Sequence, residues 1–148
     1  MNDDLKLMLG GAFIIIIIIG LALAVLMIIA QWKIYEKASQ PGWACIIPVY
    51  NLLVLLKIVG KPWWWLLLML IPIVNIVFAI WMINMLSKSF GQEEGFTVGL
   101  LFLGFIFYPI LGFGKAKYLG PYGDKAAFDA YRQQKQGFDF EENKFEKP

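Results

Sequence analysis

Polar and apolar positions divide the chain into long oily blocks and one watery end. Met8 to Ala30 is a run of 23 residues without a charge. As a helix it is about 34 Å long, against about 30 Å for a bilayer's hydrocarbon core. Three more apolar blocks follow, Trp43 to Val59, Trp63 to Leu86 and Phe96 to Phe113, separated by Gly60-Lys61-Pro62 and by residues 87–95. From Lys115 onward the pattern reverses, with 13 charged residues in 34 and no block that could span anything. The predicted fold is an all-α integral membrane protein. Three or four transmembrane or re-entrant helices with Pro breaks fall at about 8–32, 43–59, 63–87 and 96–114, in a membrane domain of residues 1–114. A polar cytoplasmic tail, residues 115–148, carries a candidate helix at 124–135 with Asp124 as N-cap and Phe128 and Tyr131 on one side, a candidate partner contact. Cleavage of the first run as a signal peptide is not expected, because it is too long and ends in Ile-Ile-Ala.

Prolines complicate the blocks. Trp43 to Val59 has 17 residues, short for a span, and contains Pro48, which favours re-entry over crossing. Pro48-Val-Tyr-Asn51 and Pro72-Ile-Val-Asn75 repeat one pattern; each Pro is expected to kink or break a helix and free the carbonyl four residues back, that of Ala44 or Leu68, with the chain around 46–49 dividing into two half-helices. The two Asn amides then either satisfy local backbone and pin one helix to another, or meet around a small hydrated site. A third kink is expected at Pro109. Asn84, nine residues after Asn75, faces the opposite way. Gly95 and Gly99 are spaced for close helix contact.

Charge sets expectations for orientation. If 43–59 re-enters, eight basic residues near the membrane group on the tail side, against Lys6 and Lys88. If all four blocks span, the division is seven to three. The first arrangement puts the tail and residues 31–41 in the cytoplasm, and Met1 and the 91–94 loop outside. Lys57 and Lys61 read as snorkelling anchors, and Trp63, Trp64 and Trp65 as residues of an aromatic belt at the start of the third block.

Composition adds exclusions. The chain is 59% hydrophobic and 16% charged, with one Cys and no His. No intrachain disulfide is possible, the commonest metal ligand and general base is missing, and no Asp or Glu lies inside an apolar block. Cys45 sits in apolar sequence as a small hydrophobe. Lys88, between Ser87 and Ser89, lies at a segment end where water keeps it protonated, a poor setting for a Ser-Lys nucleophile. No enzyme activity, cofactor, metal site or nucleic-acid partner is expected. The expected partners are the lipid bilayer and another membrane protein or further copies of the chain.

Several stretches together carry a resemblance: Gln-Pro-Gly-Trp-Ala-Cys-Ile-Ile-Pro-Val-Tyr-Asn, Leu-Leu-Lys-Ile-Val-Gly-Lys-Pro-Trp-Trp-Trp, Ile-Pro-Ile-Val-Asn, Lys-Ser-Phe-Gly and Phe-Tyr-Pro-Ile-Leu-Gly-Phe-Gly. Over about residues 32–122 they resemble an uncharacterised bacterial membrane-domain family. That family is found as small stand-alone proteins and as the N-terminal membrane domain of some type I signal peptidases, and the peptidase domain has no counterpart here. The resemblance implies the bacterial cytoplasmic membrane and proximity to protein export or processing, and no catalytic residues. The functional expectation is a non-enzymatic scaffold or accessory subunit of a larger membrane complex. The alternative is a small channel or carrier using the breaks near Asn51 and Asn75.

Overall fold

The structure, a computed structural model, describes the backbone of residues 2–145 and the side chains of residues 2–137. Its elements are all helical: α1 (Asp3–Lys37), a 3-10 turn (Gly42–Ile46), α2 (Pro48–Val59), α3 (Trp65–Met69), α4 (Pro72–Ser89), α5 (Glu94–Phe102), α6 (Gly104–Phe113) and α7 (Lys125–Phe145). Two of them, α1 and α4, are long and apolar enough to cross a membrane. At 35 residues α1 is about 52 Å long. Its six consecutive isoleucines are apolar all round, and every described residue up to Leu26 is exposed. Packing begins at Met27, and Ala30, Ile34, Tyr35 and Ala38 are buried against the rest of the molecule. So α1 stands alone for two thirds of its length, and a helical body gathers around its C-terminal third.

That body is a series of helical hairpins, each with a break at an apolar tip. Trp43 stacks on Tyr50 across the break at Ile47, with centroids 5.2 Å apart. Trp65 meets Phe78 at 4.7 Å across the break at Leu70-Ile71, and Phe96 meets Phe107 at 5.0 Å across the break at Leu103. Residues before and after each break thus face one another. The tip residues Ile46, Ile47, Leu70, Ile71, Phe102 and Leu103 are exposed.

The chain breaks at 46–49 as expected, but both prolines start helices and do not kink them, which corrects the expected kinks and freed carbonyls. Pro48 and Pro72 each occupy the first turn of a helix, where a missing N–H costs nothing. The residues before them, Ile47 and Ile71, are extended, as the proline ring demands. The carbonyls of Ala44 and Leu68 are not free: they accept from Ile47 N–H at 3.3 Å and Ile71 N–H at 3.2 Å. The backbone N–H of Asn51 then donates to Ile47 at 2.7 Å and that of Asn75 to Ile71 at 2.8 Å, closing the first turn of each new helix. The fourth block breaks elsewhere than expected. Pro109 lies inside α6, and the chain reverses at Leu103-Gly104, where Phe107 N–H donates to Leu103 at 3.0 Å in the same pattern.

Opposite the tips lies a polar end, where the outgoing helices α2, α4 and α6 must dispose of their last carbonyls. In α2 all four are satisfied. Leu56 accepts from Lys61 N–H at 2.8 Å, Lys57 from Gly60 N–H at 3.2 Å, Ile58 from the Tyr118 hydroxyl at 2.5 Å and Val59 from Gly123 N–H at 2.6 Å. Gly60 makes the turn at φ +79°, which a side chain would disfavour. In α4, Phe90, Gly91 and Gln92 N–H groups take Leu86, Lys88 and Ser87, and Leu119 N–H takes Ser89 at 2.7 Å. In α6, Gly114 N–H takes Ile110, while the ammonium of Lys37 in α1 reaches the carbonyls of Leu111 at 2.6 Å and Gly114 at 2.8 Å. A cation there also suits the negative end of the helix dipole. Residues 115–123 are therefore a strap that caps two helices, although nothing in their sequence marks them as structural.

The strap fixes a second correction. Ser89 is bonded to Leu119 and, through its hydroxyl, to Tyr122 N–H at 3.2 Å. The 90–93 loop therefore lies at the same end of the body as the start of the tail, whereas the charge count had put the two on opposite sides. Beyond the strap, Asp124 Oδ1 accepts from Ala127 N–H at 3.2 Å, and α7 runs to Phe145, ten residues past the expected end.

Candidate functional site: the cleft between the fourth and fifth helices

The pair of amides nominated from sequence does not assemble a site. Asn51 is committed to structure: the buried Tyr35 hydroxyl donates to its side-chain Oδ1 and lies 3.2 Å from its backbone carbonyl, while its Nδ2 donates to the Cys45 carbonyl at 3.4 Å. One amide thus joins α1, the first tip and α2. Asn75 is exposed on the first turn of α4, and its side chain makes no hydrogen bond among the described residues. The aromatic belt also divides. Trp63 and Trp64 are exposed, but Trp65 is buried against Phe78 and Trp81, with the Lys61 ammonium 5.0 Å from its ring centroid. Lys57 is exposed in the last turn of α2. Gly99 faces Phe107 within its own hairpin and Gly95 faces open space, so the Gly-x-x-x-Gly pair makes no joint helix contact.

Phe128 and Tyr131, expected from sequence to dock on a partner or on the chain itself, pack on the same chain. Tyr131 meets Tyr118 edge-on at 5.4 Å, and Phe128 meets Tyr122 at 5.5 Å. Both are half-buried. Burial, and next Tyr131, push the Tyr118 phenol above its ordinary range. Arg132 and Lys135 lie over the outer faces of Phe128 and Tyr131 at 5.6 and 5.9 Å.

A cleft of about 540 Å³ lies elsewhere, between α4 and α5. One wall is Val77, Ile80, Trp81 and Asn84 of α4, and the other is Glu94, Thr97, Val98 and Leu101 of α5. Both sets follow the i, i+3, i+4, i+7 spacing of one helix face. α4 runs toward the polar end and α5 away from it, so the cleft is graded along its length: Asn84, Thr97 and Glu94 at the mouth, aliphatic side chains and Trp81 in its depth. The Thr97 hydroxyl donates to Asn84 Oδ1 at 3.1 Å, which leaves the Asn84 NH2 without a hydrogen-bond acceptor among the described residues. Lys88, one turn beyond Asn84, lies 3.7 Å from Glu94. No group of three or more His, Cys, Asp or Glu is placed to hold a metal among the described residues. This cleft was missed in the sequence because its polar members lie 13 residues apart across a turn.

A family model described as a family of unknown function (DUF5684) matches residues 43–121. The chain belongs to this family. The DUF5684 match starts at the first hairpin and ends inside the capping strap, leaving out α1 and α7, so it covers the body just described and includes the α4–α5 cleft. No curated protein and no solved structure matches the chain.

Proposed function

We propose that the protein is a non-enzymatic membrane scaffold or accessory subunit, crossing the bacterial cytoplasmic membrane once through α1. Its hairpin body is set into the cytoplasmic leaflet, with the N-terminus outside. The observation that carries this is the polar end: Lys37, the ends of α2, α4 and α6, the 90–93 loop and the strap all meet there, while the hairpin tips are apolar. Depth agrees. The first tip reaches Ile28 of α1, where the Cys45 thiol lies 3.8 Å from the carbonyl. That is nine residues above Lys37, about 14 Å, or roughly half the hydrocarbon core. Of the ten basic residues near membrane ends, nine now fall on one side and Lys6 alone on the other, a stronger asymmetry than either arrangement read from sequence.

α7 and the exposed apolar faces of α4 and α5 are the surfaces offered to a partner, and the resemblance to domains joined to signal peptidases directs the search to protein export and processing. A carrier built on Asn51 and Asn75 has less support, because one amide is already bonded and the other is exposed at a tip. Single cysteines at Asn2, Gln40, Gln92 and Gln136 in a Cys45→Ala background test the arrangement with an impermeant thiol reagent. Asn2 is expected to label from outside and the other three from the cytoplasm. Labelling of Gln92 together with Asn2 refutes the one-leaflet body.

A further inference from the structure

We infer that the α4–α5 cleft is a binding site for one phospholipid with an amine-bearing, zwitterionic headgroup of the phosphatidylethanolamine type. The inference rests on the one-leaflet reading in one respect, that the polar end of the body lies at headgroup level. The cleft's grading then matches an amphiphile: its mouth opens where headgroups are and its depth runs toward the bilayer centre. From Asn84 back to Val77 is seven residues, about 10 Å of apolar wall, enough for the upper half of an acyl chain.

The mouth selects the headgroup. Glu94 lines it and Lys88, one turn beyond Asn84 and just outside the lining, stands 3.7 Å from that carboxylate; they are not equally free, the Lys88 side chain being 26% exposed and that of Glu94 83%. An exposed pair of this kind is weak and easily opened. A lipid phosphate between Lys88 Nζ and the Asn84 NH2, with the headgroup ammonium on the Glu94 carboxylate, replaces one loose contact by two charge-assisted ones. It also supplies the acceptor that the Asn84 amide lacks. A phospholipid without an amine satisfies Lys88 and Asn84 but leaves Glu94 facing the phosphate, where like charge disfavours it. Both signs at one mouth are what distinguish this site from a nonspecific basic patch.

The test uses the full-length protein in mild detergent, titrated with phosphatidylethanolamine or phosphatidylglycerol of matched chains and followed by native mass spectrometry. One phosphatidylethanolamine is expected to bind, with a preference over phosphatidylglycerol of about threefold, the size of one partly exposed ion pair. Glu94→Gln should bring the two lipids to parity, and Val98→Trp, which fills the cleft from an exposed position, should remove the bound lipid. Glu94 is almost fully exposed, so the first variant folds even if the second does not. Equal binding of both lipids to the unsubstituted protein overturns the headgroup assignment. Retention of stoichiometric lipid by folded Val98→Trp, or its displacement only by an added apolar peptide helix, overturns the site. Chain-brominated phosphatidylethanolamine in vesicles separates the two readings: quenching that is lost in Trp81→Phe reports the cleft, whereas the thiol labelling above reports the topology, and either can fail without the other.

Discussion

Replacing Asn51 by Leu separates the structural role of the repeated Pro-x-x-Asn pattern from a solute-binding one. The substitution removes the hydrogen bond from Tyr35 to Oδ1 and the one from Nδ2 to the Cys45 carbonyl. An interhelical bond inside a membrane protein contributes about 0.6–1.7 kcal/mol. Losing the second bond leaves the Cys45 carbonyl unpaired at the tip, at about 1–3 kcal/mol if no water reaches it. Tyr35 keeps the Asn51 backbone carbonyl as an acceptor at 3.2 Å, which softens the first loss. The expected cost is therefore about 1–3 kcal/mol. Asn75→Leu removes no side-chain bond from an exposed position and should fall within about 0.5 kcal/mol of the unsubstituted protein. Reversible unfolding in mixed micelles, followed by tryptophan fluorescence with rising SDS fraction, measures both. Tyr35→Phe combined with Asn51→Leu should cost less than the sum of the single changes, because both delete the same bond. The reasoning is refuted if Asn75→Leu costs more than Asn51→Leu, or if the double variant is additive.

Other outcomes follow from close contacts and from the strap. A Cβ at Gly112 would lie 2.5 Å from the Ala30 carbonyl oxygen, so Gly112→Val should push α6 off α1 and cost about 1–3 kcal/mol by the same assay. Tyr118→Phe orphans the Ile58 carbonyl and should cost about 1 kcal/mol, read as greater protease access to residues 115–137. The raised phenol of Tyr118 adds stability that is fully present below the unfolded value of about 10 and is lost as pH rises past it, so the unsubstituted protein should weaken in alkali more steeply than Tyr118→Phe.

Helical content and the broad blocks were legible in the sequence because apolar runs separated by charged or Gly-Pro stretches have only one economical solution in a bilayer. The breaks were half legible. Pro48 and Pro72 announced them, but proline alone does not say whether a helix bends or begins, and the extended Ile before each ring decided it. Leu103-Gly104 carried no signal stronger than an ordinary glycine in an oily run, so Pro109 drew the attention instead. The strap was invisible for a different reason: its bonds run from Tyr118 to Ile58 and from Gly123 to Val59, some 60 residues apart, and depend on where helix ends meet in space. The cleft shares that cause. Each wall is an ordinary amphipathic stripe, and only the turn at residues 90–93 brings Asn84 to Thr97.

The repeated pattern at the tips follows from what a helix start costs inside a membrane. Each new helix presents up to four N–H groups with no partner, and in hydrocarbon every one is expensive. Proline at the first position removes one donor outright, and its ring sets the preceding residue extended, so the chain reverses within about two residues. The residue three positions on is the first whose N–H finds a carbonyl of the new turn at Asn51 and Asn75, while at the third tip Ile106 and Phe107 both donate to Leu103. A side chain there lies beside the incoming arm of the hairpin. Asn51 uses that place to bond the Cys45 carbonyl, and Phe107 uses it to pack on Phe96. At Asn75 the side chain is exposed and the clasp comes one turn later, from Phe78 on Trp65. The proline therefore does the same work at both tips, while the asparagine three residues on is part of the hairpin's closure only at the first.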